Sequence, residues 1–198
     1  MCLRWLLPLL LALALAACGK DPAPQPDFRG SDITGAGFGK NLALHDHNGR
    51  AVTLDTFKGK LVVLFFGYTH CPDVCPTTLS DMASALALMP ENVAKKVQVL
   101  FVTVDPERDS PEVIKSYVPY FHPGFLGLIG TPEQVTQVAK EFHIVYRKHV
   151  EPGASDYLVD HSAGSYVLDT RGRLRLYLPY GHPPADIAHD LMELSRAE

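Results

Sequence analysis

The sequence predicts one α/β domain, with a central mixed β-sheet flanked by helices and a β-hairpin near its N-terminal end. Two runs carry this prediction, residues 60–68 and residues 97–105, because both are almost continuously apolar and such runs are typical of strands covered on both faces. A helical pattern follows each run, and strands that alternate with helices are typical of α/β folds. With 198 residues, the chain is long enough for one domain with a sizeable core.

The hairpin is predicted within residues 42–54, LALHDHNGRAVTL, where two short apolar runs flank Asn48-Gly49. Asn-Gly is the dipeptide that most strongly favours a tight hairpin turn, because both residues tolerate a positive φ. The first central strand, residues 60–68, follows this hairpin.

The first helix is predicted over residues 76–89, where apolar residues recur at intervals of three and four. Pro76 suits its first position, where a missing N–H costs nothing. Two later helices are predicted from Ser110-Pro111 and Thr131-Pro132, because an N-cap hydroxyl followed by proline is a helix-start signal. Gln134 is placed to complete a capping box with Thr131.

The remaining elements are short. They are strands at residues 125–130 and 144–150, a hairpin across residues 164–178 that turns at Arg171-Gly172, and a last helix from about residue 184 to residue 195. The hairpin adds strands to the predicted sheet, and the last helix packs on it.

The first residues have the pattern of a secretory signal peptide. Arg4 precedes an uncharged run rich in Leu and Ala that ends in small residues. The run has no polar face, and it is short of the roughly 20 apolar residues that a membrane-spanning helix needs. Residues 15–18, LAAC, resemble a bacterial lipobox, in which the cysteine is lipidated and becomes the first mature residue. The alternative is an ordinary signal peptide with Cys18 at the cleavage point.

Three parts of the chain are predicted on this basis. We expect a signal peptide at residues 1–17, a lipidated N-terminus on Cys18 with a flexible tether over residues 18–35, and the folded domain at residues 36–198. The tether is predicted because residues 19–32 are rich in Pro, Asp and Gly and contain almost no apolar side chains.

Two cysteines remain for chemistry in the mature chain. Of the four cysteines, Cys2 would leave with the predicted signal peptide and Cys18 would carry lipid, so we expect Cys71 and Cys75 to be the free thiols. They lie between the first central strand and the first helix. A structural disulfide between them would close a very short loop and stabilise little, which leaves a redox pair or a soft-metal site. We expect Cys75 at the helix N-cap, where the helix dipole favours a thiolate.

The charge of the chain excludes one class of partner. A formal net charge of −4 provides no electrostatic footprint for nucleic acid.

Four stretches carry a resemblance to a known family. GYTHCPDVCPTTL, VTVDPERDSPEVIKSY, GFLGLIGTPEQV and VDHSAGSYVLDTRG together resemble the SCO/SenC family of membrane-anchored copper proteins associated with cytochrome c oxidase assembly. The resemblance covers about residues 36–195. It implies a thioredoxin-like fold.

The resemblance also implies a copper site formed by Cys71, Cys75 and His161. His161 lies where thioredoxin-like proteins ordinarily present a proline opposite the cysteines. Two soft thiolates attract Cu(I), and an imidazole is a competent third ligand for either oxidation state of copper. In the family, Asp105 and Asp109 are linked to partner contacts or copper transfer; the alternative is a turn and helix cap around Ser110-Pro111.

Two functions follow from this interpretation. The first is a metallochaperone that delivers copper to the copper-receiving subunit of cytochrome c oxidase and exchanges copper with other periplasmic copper chaperones. The second is a thiol–disulfide reductase that keeps the oxidase cysteines reduced through Cys71 and Cys75. Either protein would be a lipoprotein anchored to the membrane and exposed to the periplasm or to the outer face of the cytoplasmic membrane.

Overall fold

The structure is a computed structural model that describes residues 26–150, 152–153 and 155–197. The predicted signal peptide and Cys18 lie outside the described residues. Ten strands are described: β1 (Ser31–Asp32), β2 (Ala43–Asp46), β3 (Ala51–Thr53), β4 (Leu61–Gly67), β5 (Val97–Thr103), β6 (Leu126–Ile129), β7 (Tyr146–His149), β8 (Leu158–His161), β9 (Ser165–Leu168) and β10 (Leu174–Leu178). Five α-helices are described: α1 (Val74–Leu88), α2 (Glu91–Ala94), α3 (Pro111–Phe121), α4 (Pro132–Glu141) and α5 (Pro184–Arg196). A 3-10 helix spans Leu54–Phe57.

Eight of these strands form one mixed sheet in the order β1-β10-β9-β4-β5-β6-β2-β3. Strands β4, β5 and β6 are parallel at its centre, whereas β9 pairs with β4 and β2 pairs with β6 in the antiparallel sense. Every residue of β4 and β5 is buried, because both faces of these strands are covered. The predicted α/β class with a central mixed sheet flanked by helices is confirmed.

The N-terminal hairpin is confirmed as well. Strands β2 and β3 pair in the antiparallel sense from Ala43 opposite Thr53 to His45 opposite Ala51. The turn between them contains Gly49 at a φ of 82°, a conformation that glycine adopts without the steric cost of a Cβ. The hairpin joins the central sheet through β6.

Helix α1 begins earlier than its proline indicated. Asp73 is the N-cap and Val74 the first helical residue, so Cys75 is the second residue of the helix and our expectation of Cys75 at the N-cap is wrong. Pro76 is tolerated as the third residue because the first N–H groups of a helix have no intrahelical partner in any case. None of the described helices has the length and hydropathy to cross a membrane.

The two later helix starts agree with the sequence. The Ser110 side chain accepts the N–H of Val113 at the start of α3. At the start of α4, Thr131 and Gln134 form the reciprocal bonds of a capping box. Helix α3 packs on β6, and α1 packs against both α3 and α5.

A separate two-stranded ribbon carries the second half of the site. Residues 144–150 contain β7, as expected, but β7 pairs with β8 outside the central sheet. Strand β8 was not expected, because Leu158–His161 alternates too little to mark a strand. In the ribbon, His161 lies opposite Tyr146.

The folded part of the chain begins before Ala36, within the segment that we assigned to the tether. Ser31 and Asp32 form β1 and pair with Tyr177 and Leu176 of β10. Main-chain pairing requires no apolar side chain, so the polar composition of this segment did not reveal it.

Candidate metal and thiol site

The site lies at the edge of the sheet where β4 and β5 end. Because these strands run parallel from Leu61 opposite Val97 to Gly67 opposite Thr103, the loops that follow them emerge side by side. Functional groups of α/β proteins commonly lie at this carboxyl edge. The loop after β4 leads through the cysteines into α1, and the end of β8 faces it.

Three side chains that are distant in sequence meet here. The ligand atoms of Cys71, Cys75 and His161 all lie within 4.8 Å of one another. The Cys75 Sγ is 3.4 Å from Nε2 of His161. The structure therefore brings together the three residues that the sequence and its resemblance singled out.

The first turn of α1 places the two sulfurs on one side. Cys71 and Cys75 are four residues apart, and the backbone N–H of Cys75 donates to the Cys71 Sγ at 3.4 Å. Both cysteines are free thiols, with Cys75 buried and Cys71 partly buried. The backbone leaves room for Cys75 because residue 67 is glycine: a Cβ at Gly67 would lie 2.7 Å from its Sγ.

The two thiols differ in acidity. Hydrogen bonding from the Cys75 thiol is the main cause that lowers the pKa of Cys71, to about 3, and backbone N–H groups contribute to the same change. Burial raises the pKa of Cys75, and the neighbouring Cys71 thiolate raises it further. These directions make Cys71 the more acidic thiol, whereas the sequence favoured a thiolate at Cys75, because complete burial opposes ionisation of Cys75 and the backbone donors point at Cys71.

The imidazole of His161 is oriented by the main chain. Its Nδ1 lies 3.0 Å from the carbonyl oxygen of Ser162, and a carbonyl only accepts, so Nδ1 carries the proton and donates. The lone pair of Nε2 is then free to face the sulfurs. The ring also lies edge-on to Phe65 and Tyr68, with centroids 6.1 and 5.9 Å away. No side-chain signal in the sequence could have revealed the Ser162 carbonyl.

Asp109 fixes the loop that carries the cysteines. Its carboxylate accepts the Thr69 N–H at 3.1 Å, the Thr69 hydroxyl at 2.6 Å and the Thr103 hydroxyl at 2.5 Å. The carboxyl group is fully buried, and burial raises its pKa while these hydrogen bonds oppose the change. Asp109 thus ties the loop after β4 to the end of β5.

Asp105 joins β5 to the ribbon. It accepts from Nε of Arg108 at 2.5 Å and from the Tyr157 hydroxyl at 2.7 Å. The Arg108 guanidinium also donates to the Tyr157 carbonyl at 2.8 Å and lies 3.6 Å from the centre of the Tyr157 ring. These contacts place β8, and with it His161, beside the cysteine loop.

The side chains of both aspartates are buried. Asp105 and Asp109 are both 0% exposed, so their side chains do not lie at the surface; a partner contact through the loop around them, or a role in copper transfer, stays a prediction. Their carboxylates satisfy buried donors, which an exposed contact residue would not do. Ser110, and neither aspartate, supplies the helix cap.

The donor set suits one kind of metal ion. Two sulfurs and one imidazole nitrogen are the ligands that Cu(I) prefers, whereas calcium and magnesium require oxygen. Zinc ordinarily takes four ligands, and the group found among the described residues offers three. Cys71 and His161 are only partly buried, so the open side of the site is accessible for ligand exchange.

Comparison with solved structures identifies the fold. ScoI of Bradyrhizobium japonicum, solved with copper bound, matches with a TM-score of 0.72 and 39% identity over 79% of this chain and 99% of that chain. Apo Sco1 of Thermus thermophilus matches with a TM-score of 0.76 and 41% identity over 87% of this chain and 99% of that chain. The fold is thioredoxin-like, and the match covers nearly the whole of each solved chain.

Comparison of sequences finds relatives of the same kind. A SCO2-like protein of Rickettsia conorii is 33% identical over 193 residues, which cover 96% of this chain and 89% of that protein. The fungal and plant relatives are longer, and the chain spans 52%, 46% and 40% of three of them. The model of the family described as SCO1/SenC matches residues 31–196. The chain therefore belongs to the SCO1/SenC family.

Proposed function

We propose that the protein is a copper metallochaperone for the assembly of the copper centre of cytochrome c oxidase. The observation that carries the proposal is the convergence of the Cys71 and Cys75 thiols with Nε2 of His161. Membership of the SCO1/SenC family supports it, as does a relative solved with copper bound. Copper is the cargo, received from other periplasmic copper chaperones and passed to the copper-receiving subunit of the oxidase.

The site is arranged for transfer as well as for binding. Cys71 is already a thiolate at neutral pH because its pKa is about 3, whereas Cys75 releases its proton when a metal replaces it. His161 provides a neutral nitrogen through Nε2. A three-ligand site leaves an open position at which an incoming thiolate of the acceptor can displace these ligands one at a time.

We further propose that the protein is a lipoprotein anchored at Cys18 and exposed to the periplasm. The signal peptide at residues 1–17 and the lipobox-like residues 15–18 support this location. The membrane would then be the partner that holds the protein near the oxidase. A Cys18→Ser substitution is expected to release the protein to the soluble fraction or to leave the signal uncleaved, and mass analysis of the mature N-terminus decides between these outcomes.

The His161→Ala substitution tests the copper function. Residues that only orient a metal ligand already contribute about 10- to 100-fold to affinity, so loss of the ligand is expected to weaken Cu(I) binding by at least that factor. His70→Ala is the matched control, because His70 is half exposed, is adjacent to Cys71 in the chain and does not belong to the group of converging ligand atoms. Competition with a chromogenic Cu(I) chelator measures both affinities. Equal affinities of His161→Ala and the unmodified protein would exclude His161 as a ligand.

One observation favours a second function, a thiol–disulfide reductase. Both thiols are free, and Cys71 is held as a thiolate, the nucleophilic form. Such a reductase would keep the oxidase cysteines reduced and has no need of His161. If His161→Ala cells assemble active oxidase under copper limitation and Cys71→Ser cells do not, the reductase function replaces copper delivery.

A further inference from the structure

Three segments of the chain meet at the edge of the sheet opposite the thiol site. They are residues 55–60, 91–96 and 169–173, which lie where β4 and β5 begin and where β9 turns into β10. The N–H of Leu61 donates to the Lys96 carbonyl at 2.9 Å, and the N–H of Gly59 donates to the Thr170 carbonyl at 2.8 Å. These bonds make the three segments one continuous surface, which we call the basic edge.

The basic edge concentrates positive charge in a chain with a net negative charge. Although the sequence has 18 Lys and Arg residues and 22 Asp and Glu residues, the cations of these segments outnumber the carboxylates. The exposed cations of the basic edge are Lys58, Lys60, Lys95, Lys96, Arg171 and Arg173. Its carboxylates are Asp55, Glu91 and Asp169.

Each carboxylate of the basic edge is already paired. Lys58 bonds Asp55 at 2.9 Å, Lys95 bonds Glu91 at 2.5 Å, and Arg173 bonds the fully buried Asp169 at 2.6 Å. Within the described part of the chain, Lys60, Lys96 and Arg171 make no ion pair with a carboxylate; the Lys60 ammonium donates to the amide oxygen of Gln98 at 3.3 Å. The charge of these three side chains is therefore available to an external anion.

Two cavities open between these cations. One, of about 690 Å³, has Arg171 at its margin and Phe38, Leu54 and Leu174 among its lining residues. The other, of about 470 Å³, is lined in part by Lys60. Largely apolar recesses with exposed cations among their lining residues fit the junction between the headgroups and the glycerol backbone of a lipid layer, where charge and apolar surface are adjacent.

The position of the basic edge leaves the thiol site unobstructed. Strand β4 starts at the basic edge and ends just before the cysteine loop, and its seven residues span about 20 Å at roughly 3.3 Å per residue. A surface that binds the basic edge therefore lies on the side of the domain away from Cys71 and His161.

We propose that the basic edge binds the anionic headgroups of a membrane surface and orients the domain so that the thiol site faces away from the lipid. Clustered Lys and Arg side chains are attracted to anionic lipid within about a Debye length of the surface. The attraction does not depend on copper, on the thiols or on the lipid anchor. An acidic protein surface is the competing occupant, and the choice of probe separates it from lipid.

Co-sedimentation with lipid vesicles tests the proposal. Residues 26–198 are the appropriate chain, because the solved Sco1 chain of Thermus thermophilus matches 87% of this chain over 99% of its own length, and the full chain would bind through the proposed anchor. Binding is expected to vesicles that contain about one third phosphatidylglycerol, with little binding to pure phosphatidylcholine, and it should decline steeply as salt rises above about 0.15 M. The double substitution Lys96→Ala/Arg171→Ala should weaken the partition coefficient roughly 25-fold, since each cation contributes about a factor of five.

A charge-matched variant is the control. Lys115→Ala/Arg147→Ala removes two exposed cations away from the basic edge and should bind the vesicles as the unmodified domain does. Thermal unfolding checks that all variants fold. In the bound state, Cys71 should react with a large maleimide as fast as in the free protein.

Three outcomes would overturn the proposal. They are absence of binding to phosphatidylglycerol vesicles, equal losses of binding in the two double variants, and protection of Cys71 by the vesicles. The first of these, together with retention on an immobilised acidic peptide, would assign the basic edge to a protein partner instead.

Discussion

Cys71 and Cys75 lie in different electrostatic surroundings although only one helical turn separates them. Cys71 accepts hydrogen bonds at the rim of the site, whereas Cys75 is enclosed against Gly67. The two thiols therefore have separate tasks. Cys71 supplies a ready thiolate, and Cys75 adds its charge only when its proton is displaced.

Alkylation of the reduced protein measures this difference. An ordinary thiol, with a pKa of about 8.5, loses reactivity roughly tenfold per pH unit below neutrality, because only the thiolate reacts. Since the pKa of Cys71 is about 3, its reaction with iodoacetamide should change little between pH 8 and pH 5, while Cys75 remains unreactive. The denatured protein is the control, in which both cysteines should show the ordinary decline. A Cys71 rate that declines in the same way in the folded protein contradicts the assignment.

Asp109 acts on the site without touching the cysteines. In Asp109→Ala, the buried hydroxyl of Thr103 and the N–H of Thr69 lose their acceptor, and unsatisfied buried donors cost about 1 to 3 kcal/mol each. We expect the free energy of unfolding to fall by at least about 2 kcal/mol in denaturant titrations, and Cu(I) affinity to fall with it. Asp73→Ala is the matched control, because Asp73 is exposed and its side chain makes no capping bond, accepting instead the Thr77 hydroxyl in an exposed bond of 3.3 Å. Similar losses in both variants would refute this role.

The sequence predicted the residues of the site better than the bonds that hold them. Cys71 and Cys75 follow from their place between a strand and a helix, and His161 follows from the family resemblance. The bond from Thr69 to Asp109 spans 40 positions, and no local pattern encodes such a pair. The acidity of Cys71 also depends on burial of its neighbour, which periodicity does not measure.

At the scale of elements, helix α5 binds the segment that precedes β1, residues 27–30. Asp190, fully buried on α5, accepts the backbone N–H groups of Arg29 and Gly30 at 2.7 Å each. The His189 ring donates to the Asp27 carbonyl at 2.8 Å. The polar entry segment is thus fixed by main-chain bonds to a helix 160 positions away.

Limited proteolysis tests this attachment. In Asp190→Asn, one carboxylate oxygen becomes an NH₂ group that faces a backbone donor, so one of the two bonds is lost. Trypsin is expected to cut after Arg29 at least about fivefold faster, because local opening exposes the peptide bond. Asp186→Asn, on the same helix but without these bonds, should be cut at the original rate. Mass spectrometry of the first fragments identifies the cleavage point, and unchanged kinetics at Arg29 would rule out the attachment.

Helices and central strands were predictable because their signals are local. Thr131 and Gln134, the two residues of the capping box, are three positions apart. An apolar run such as Leu61–Gly67 indicates a buried strand without reference to the rest of the chain. Strands β1 and β8 were not predictable, since they depend on pairing with distant partners rather than on their own apolar content. The predicted start of α1 was two residues too late, because a proline is tolerated throughout the first turn of a helix and does not mark one position.

For the whole molecule, copper binding should raise the free energy of unfolding and the Tm. A ligand that binds only the folded state at about 1,000 times its Kd stabilises the fold by about 4 kcal/mol, which corresponds to a Tm increase of roughly 10 °C in a domain of this size. We expect such an increase when Cu(I) is added to the reduced protein, and its reversal by a chelator. Differential scanning calorimetry is the measurement.

Two controls for this prediction remove a thiolate from the site. Cys71→Ser and the Cys71–Cys75 disulfide form should show little or no increase in Tm with Cu(I), because neither retains both thiolates. An equal increase in the Cys71→Ser variant would place the stabilising copper elsewhere in the molecule.

The pairing of β1 with β10 affects how copies of the protein behave beside one another. Without Ser31 and Asp32, β10 would be the edge strand of a seven-stranded sheet, and an unpaired edge strand is a template for another chain. Three of the five residues of β10 are buried, so a second copy would find an apolar, hydrogen-bonding strand there. Loss of the residues before Thr34 would therefore favour aggregation of the domain, even though no residue of the thiol site is removed.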